Sequence, residues 1–410
     1  MGLSGGMDSV VLLHVVKECL AGGGALRALH VNHGLQADSD EWEEFCRDLC
    51  RQWDVPLSVR AVAVPESGAS LENRARIARY EAFSEALAPG ECLLLAHHLD
   101  DQMETMLLRL SRGAGTRGLS GIPARRKLGE GIVVRPFLRC PRETLADYAK
   151  AQNLRWIEDA SNRNTDFDRN FCRHEILPAI ERRWPDFRRE WERSRQLLAD
   201  SHEMLTELAE LDIERCAGKA EHRLRVDALR QLSAPRLHNT LRHWIEKGIN
   251  SPADPRKLRS LPHQLIASDH ATNAAIDFRN HQVRRFKNEL YLVPDLPSID
   301  PETRFSWDPS SQPQFDLPGN GSLRAVPTAD RGLAGMPYAI RYRRGGETCR
   351  LARRPTKSLK KILNESRIEP WLRNRLPLLF YGEDLAAIPG IGITETATTK
   401  PGYRIEWHGP

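Results

Sequence analysis

Apolar positions in the first 140 residues fall into two kinds of run. Short, nearly unbroken apolar stretches at 26–32, 57–64, 92–96 and 131–136 predict buried strands. Between them, 10–20, 41–53, 71–87 and 101–112 carry apolar residues at helical spacing. In the last of these, Met103, Met106, Leu107 and Leu110 form the apolar stripe, and Asp101, Glu104, Thr105 and Arg109 share another face. Alternation of this kind predicts a parallel sheet covered on both faces, with ligands beyond the carboxyl ends of its strands. Further helices are expected over 142–153 and 173–184, then a long charged helix over 187–216. The stretch 217–294 mixes a helix (235–247) with a strand pair (274–278 and 283–293). A Pro/Ser/Asp-rich stretch, 294–318, reads as a linker to a small mixed module.

Polar motifs cluster where the predicted strands end. Ser4-Gly5-Gly6-Met7-Asp8-Ser9 runs directly into Val10-Val11-Leu12-Leu13. Small residues let a phosphate approach the backbone, and the following helix start offers N–H groups without intrahelical partners. No Gly-Lys-Ser/Thr follows, so this is not a Walker loop; Asp8 instead offers a carboxylate that could help hold Mg²⁺. Only three residues precede the loop, whereas a strand of about five is expected there. The chain as given is therefore expected to be short by that strand.

His30-Val31-Asn32-His33-Gly34 is either turn chemistry or a loop facing the phosphate site. Arg76 and Arg79, or Tyr80, share a helix face with Glu72 and form either ion pairs or a phosphate-binding face. Ala96-His97-His98-Leu99-Asp100-Asp101-Gln102-Met103-Glu104 places carboxylates at a helix start, as caps or beside Mg²⁺ and nucleotide. The glycine-rich stretch from Arg112 to Gly121 is expected to be a mobile cover. Asp159-Ala160-Ser161-Asn162 reads mostly as caps and turns, while Arg169 and Arg173 could touch phosphate or RNA.

At 410 residues, two or three domains are expected. No run of about 18 apolar residues and no signal-peptide pattern is present. The 8 cysteines include no CxxC pair, which argues against zinc ribbons and redox dithiols and fits a reducing cytoplasm. The net charge of +5 is concentrated: 341–376 holds 12 Lys/Arg against 3 Glu, a net of +9. A cluster this dense, interrupted by Tyr342 and Trp371, points to a phosphate-bearing polymer.

Taken together, these motifs resemble the N-type ATP pyrophosphatases (the PP-loop family), and within them the tRNA(Ile)-lysidine synthetases. Arg284-Arg285-Phe286-Lys287-Asn288-Glu289-Leu290-Tyr291-Leu292 is similar to the end of that family's middle domain. The segments Arg341–Arg344, Gly345-Gly346-Glu347, Arg350-Leu351, Ser358–Leu363 and Pro370–Pro377 are similar to its C-terminal module. The resemblance implies a Rossmann-like α/β PP-loop domain (1–190), a mainly helical middle domain (191–294), a linker (295–318) and a small α+β C-terminal domain (319–410). It further implies ATP and Mg²⁺ as cofactors, and L-lysine and a tRNA(Ile) with a CAU anticodon as substrates. No membrane is implied, and a homodimer is allowed. Nucleotide binding would fall to Ser4, Gly5, Gly6, Met7, Asp8, Ser9, His33 and His97, and Mg²⁺ to Asp8 and Asp101. Catalysis would fall to Asp8, Asp100, Asp101, Glu104, Arg109 and Arg112. Binding of tRNA would fall to Arg76, Arg79, Arg169, Arg173, Arg343, Arg344, Arg350, Lys360, Lys361, Arg373 and Arg375. A tRNA cytidine thiolase on the same loop, or a tRNA binder without catalysis, are the alternatives.

Overall fold

The computed structural model describes residues 1–20, 23–34, 39–63, 71–218, 222–267, 274–352, 354–366 and 368–409. Leu35, Val64 and the side chain of Glu72 lie outside the described residues. The chain forms two compact units, Met1–Leu205 and Thr206–Pro410.

In the first unit, α1 (Met7–Cys19), β1 (Ala28–Asn32), α2 (Ser39–Gln52), β2 (Leu57–Ala61), α3 (Leu71–Ala86), β3 (Cys92–Leu94) and α4 (Leu99–Ser111) alternate as the apolar pattern predicts. Then come a short helix α5 (Thr116–Leu119), the hairpin β4 (Arg125–Leu128) and β5 (Gly131–Val134), and α6 (Arg142–Ala151). Strands β1 and β2 pair in parallel, as do β3 and β5, while β4 is an antiparallel edge. Met1, Gly2 and Leu3 join the two halves. Gly2 N–H donates to Leu94 O at 3.0 Å, Leu3 N–H to Leu29 O at 2.9 Å, and Leu29 N–H to Met1 O at 2.8 Å. These three residues thus bond to the strands on both sides of the turn.

Apolar burial fixes the layers. Val10, Val11, Leu12 and Leu13 are fully enclosed with Cys46, Leu49, Leu145 and Ala149 from α2 and α6. Phe83 of α3 packs with Leu29, Leu93, Leu95 and Val133. The helix read over 173–184 is present, begins earlier and contains a π turn. A four-residue α7 (Asp168–Phe171) passes through a π turn, Cys172–Ile176, into α8 (Leu177–Arg183). Helix α9 (Phe187–Arg215) follows.

The second unit begins with β6 (Arg223–Arg225), α10 (Val226–Leu229), α11 (Ala234–Ile249) and α12 (Pro255–Leu261) against an antiparallel sheet. The stretch read as a single strand over 283–293 is two, β8 (His281–Phe286) and β9 (Glu289–Pro294), which follow β7 (Ala275–Phe278). Lys287 turns the chain between them at φ +54°, without the Asn-Gly pair that usually announces such a turn. The expected linker is also corrected. Arg304–Trp307 pairs with Tyr338–Arg341, and Gln314–Asp316 with Ser322–Thr328, so both belong to the two five-stranded antiparallel sheets of the C-terminal module. Their composition looked like a linker, but Phe305, Trp307 and Phe315 are anchored in the module's core.

Arg375 is a structural residue here, not an RNA contact. It is buried, and its guanidinium donates to Gly319 O at 2.5 Å and to Pro297 O. Its own carbonyl accepts from Asn320 Nδ2 at 2.8 Å. Arg375→Ala is expected to strip both carbonyls of their donor and cost about 1–3 kcal/mol. Arg375→Lys should fall in the same direction, because one ammonium replaces a two-ended fork. Thermal unfolding checks this; a wild-type midpoint for both variants would return Arg375 to the surface.

Candidate active site

At the carboxyl ends of Met1–Leu3, β1 and β3 lies a cavity of about 1040 Å³. One wall is the Ser4–Ser9 turn. Gly5 adopts φ +84°, a conformation that strains any side-chain-bearing residue, and a Cβ there would press on Ile157 Cδ1 at 2.8 Å. Gly5 O accepts from Ile157 N–H at 3.0 Å. Ser9 Oγ donates to Gly6 O at 2.9 Å and accepts from Ser4 N–H at 3.2 Å, which closes the turn on itself. No side chain caps α1, so its leading amides remain available to an anion.

Beside the turn is an ionic network of four carboxylates and four guanidiniums arranged around His98. His98 is the N-cap of α4: Asp101 N–H donates to its Nδ1 at 3.4 Å, and His98 N–H donates to Asp101 Oδ2 at 2.9 Å. Its Nε2 is 3.6 Å from both Asp8 Oδ2 and Asp101 Oδ2. Arg169 bonds Asp101 Oδ1 at 2.8 Å and Glu104 Oε2 at 2.6 Å. Arg173 Nε bonds Glu104 Oε1 at 2.7 Å. Arg188 bonds Asp100 Oδ1 at 2.9 Å, and Arg142 Nε lies 3.7 Å from Asp8 Oδ1.

This setting separates the two histidines. Burial works against charge on His98, but Asp8, Asp101 and Asp100 outweigh it and raise its pKa above the usual 6.5. Burial, reinforced by the cations of Arg135 and Arg169 against the opposing charge of Asp101, pushes His97 down to about 3. His97 is therefore a neutral imidazole on the cavity wall, and among the described residues its Nδ1 has no hydrogen-bond partner.

Ser4, Gly6, Met7, Asp8, Ser9, His33, Arg76, Arg79, His97, Asp101, Arg169 and Arg173 all line the cavity. Gly5 shapes the turn from behind. Other expectations change. Arg169 and Arg173 are committed to Asp101 and Glu104 rather than held out for RNA. Glu104 is wholly enclosed, with both oxygens taken by those arginines. Asp101 likewise has both oxygens in hydrogen bonds and is not open to Mg²⁺, whereas Asp8 Oδ1, buried beside Arg142, accepts none among the described residues. Asp100 spends one oxygen on Arg188 and the other on Arg142 N–H, and lines a second cavity of about 320 Å³.

Arg109 and Arg112 do not line the main cavity. Arg109 Nη1 donates to Gly118 O and Gly121 O, each at 2.8 Å, and Arg112 pairs with Asp168 at 2.9 Å on the surface. The glycine-rich segment is consequently bolted down at its far end rather than a mobile cover. The buried Gln102 amide bonds both the N–H (2.6 Å) and the C=O (2.9 Å) of Ile122, and Arg195 holds Ser120 O at 2.9 Å. In the second unit, Arg344, Arg350, Lys360 and Lys361 are exposed. Arg343 lies 4.0 Å from Glu347, and Arg373 Nε holds Ile368 O at 3.1 Å. Sequence reasoning missed His98 as the hub, together with Arg142 and Arg188. A histidine before two aspartates is the one local signal for the first; the arginines arrive from distant helices and leave none.

Three family models cover the chain: a PP-loop domain over 1–180, the TilS substrate binding domain over 224–291 and the TilS substrate C-terminal domain over 338–407. Use of ATP follows from the first. The tRNA(Ile)-lysidine synthase of Coxiella burnetii is 38% identical over 99% of this chain and 92% of its own. That of Pectobacterium atrosepticum is 39% identical over 100% of this chain and 93% of its own. Among solved structures, the U34-tRNA thiolase NcsA from Methanococcus maripaludis with its [4Fe-4S] cluster overlaps 48% of this chain and 70% of its own, at 18% identity and a TM-score of 0.41. No helix among the described residues is long and apolar enough to cross a membrane. With its phosphate-binding turn, its site at the strand ends and full-length relatives of one name, the chain belongs to the tRNA(Ile)-lysidine synthase family.

Proposed function

We propose that this protein ligates free L-lysine to C2 of the wobble cytidine in a tRNA(Ile) with a CAU anticodon. ATP adenylates the C2 oxygen and releases pyrophosphate; the lysine ε-amine then attacks C2, AMP leaves with that oxygen, and the product is lysidine. The observation that carries the reading is the uncapped, glycine-shaped turn at Ser4–Ser9 set against a carboxylate network in one cavity. The Ser4–Ser9 turn holds the terminal phosphates of ATP: the N–H groups of Ser4, Gly6 and Ser9 close the turn, and the leading amides of α1, at Met7 and Asp8, take the anion. Asp8 is the residue whose donor set fits Mg²⁺: one carboxylate oxygen beside the phosphate turn without a hydrogen-bond partner. When bound, the metal would supply neutralisation of phosphate charge. Arg142, on the cavity wall near Asp8, takes the role first expected of Arg109 and Arg112, stabilising charge at the α-phosphate. His97, held neutral, offers Nδ1 to a nucleotide base. Asp101, on the cavity wall and fixed by Arg169, is the carboxylate that meets the lysine ammonium before one proton is lost and the amine attacks, while the enclosed Glu104 holds Arg169 and Arg173 in place. The exposed C-terminal cations, Arg344, Arg350, Lys360 and Lys361, contact tRNA phosphates.

Release of AMP and pyrophosphate should require lysine and CAU-anticodon tRNA together. Asp8→Ala is expected to lower that rate at least 100-fold, on the scale of losing one charge-stabilising group. Its affinity for tRNA should stay within about twofold by filter binding. AMP release without lysine, or with a sulfur donor in its place, would refute the reading.

His98 gives a pH dependence with a definite sign. Its folded pKa is raised, so the stabilisation it supplies is complete below about pH 6.5 and is lost as pH rises through the folded value. His98→Asn keeps a good N-cap but cannot titrate. Thermal midpoints across that window should fall in the wild type relative to this variant; parallel curves would show that His98 carries no linked proton.

A further inference from the structure

We propose that the edge hairpin of the first unit, with helix α3, forms a second RNA-backbone surface at the rim of the cavity, built on Arg76, Arg125, Arg126 and Lys127. The inference rests on the reading of tRNA as substrate and adds a place where the strand beside the target nucleotide is gripped. The ring of Tyr80, on the cavity wall, lies between two guanidiniums, Arg76 at 5.2 Å and Arg126 at 4.9 Å from its centroid. Buried Arg135 donates to its hydroxyl at 3.2 Å and holds Pro123 O at 2.7 Å, which ties the start of the hairpin to α3. The register sets the direction. Arg125 pairs with Val134 at the carboxyl end of β5, the end that faces the site, and Arg126 and Lys127 follow along the edge.

Charge pairing separates this surface from the arginines of the network and of α9. Arg142, Arg169, Arg173, Arg188 and Arg195 each have a carboxylate within 4.0 Å. Among the described residues, Arg76, Arg125, Arg126 and Lys127 make no such ion pair. Cations on an edge strand also serve to block sheet-to-sheet association. All three are exposed; that purpose explains Arg125 and Lys127, but not Arg126, which also lies over an aromatic ring of the cavity wall. Unpaired guanidiniums, free to take a phosphate in a two-ended hydrogen bond and placed beside a cavity that must admit one nucleotide, fit an RNA backbone.

The test compares wild type, Arg126→Gln and the triple R125Q/R126Q/K127Q in lysine-dependent AMP release, with KM for tRNA measured from low to physiological salt. For the triple variant the logarithmic salt slope should shrink by about two to three, and for Arg126→Gln by about one, as expected for one phosphate released per cation. KM for tRNA should rise while KM for ATP stays put. A wild-type slope in both variants overturns the proposal, as does a triple variant that only aggregates while Arg126→Gln keeps the wild-type slope. If the wild type itself shows no lysine-dependent turnover, the lysine-ligation reading fails instead, and direct tRNA binding by the same variants still decides the surface.

Discussion

The first unit depends on how Glu104 is enclosed. A carboxylate with no solvent exposure is costly unless it is paired and fully hydrogen-bonded. Glu104 meets that condition by drawing Arg169 and Arg173 onto it, one to each oxygen. Those arginines lie at α7 and the π turn that follows, so pairing fixes an otherwise short and irregular segment against α4. Arg169 reaches on to Asp101, Asp101 caps His98, and His98 faces Asp8 of the phosphate turn. One buried charge thereby sets the geometry of the cavity floor through a chain of directional contacts.

Such a network does not follow from stability alone. Apolar replacements of buried ion pairs are often neutral or better, whereas removing one partner costs about 3–5 kcal/mol. The arrangement suits a site that must hold charged side chains in fixed positions beside the polyphosphate of ATP: its four carboxylates are matched by four guanidiniums. It keeps the Asp101 pKa below the usual carboxylate range and clamps Glu104 between two guanidiniums, while Asp8 Oδ1, buried beside Arg142, accepts no hydrogen bond among the described residues. The network also divides the labour of the paired histidines: His98 shares charge with three carboxylates, while burial keeps His97 neutral.

The strand–helix alternation was legible because each element of the first unit carries its own apolar period. The Ser4–Ser9 turn was legible because small residues before an apolar helix have few other uses. Partnership was not. Arg169 and Arg173 read as phosphate ligands because a sequence shows an arginine's charge but not the carboxylate 65 residues away that takes it. Arg375 was misread for the same reason. Arg109 sits on the helix face expected of it, yet its reach ends on loop carbonyls. The stretch 295–318 looked like a linker because its few aromatic anchors, Trp307 and Phe315, are diluted by Pro, Ser and Asp. The edge strand β4 was passed over because Arg125-Arg126-Lys127 has no apolar alternation to signal it.

The most direct measurement of this account is a double-mutant cycle on Glu104 and Arg173 by denaturant unfolding. If Glu104 organises the cavity floor, Glu104→Gln and Arg173→Gln should each destabilise strongly. The double variant should then lose less than their sum, by about 1–3 kcal/mol. Additivity within about 0.5 kcal/mol would mean the two side chains act independently, and would contradict the central place given to this contact.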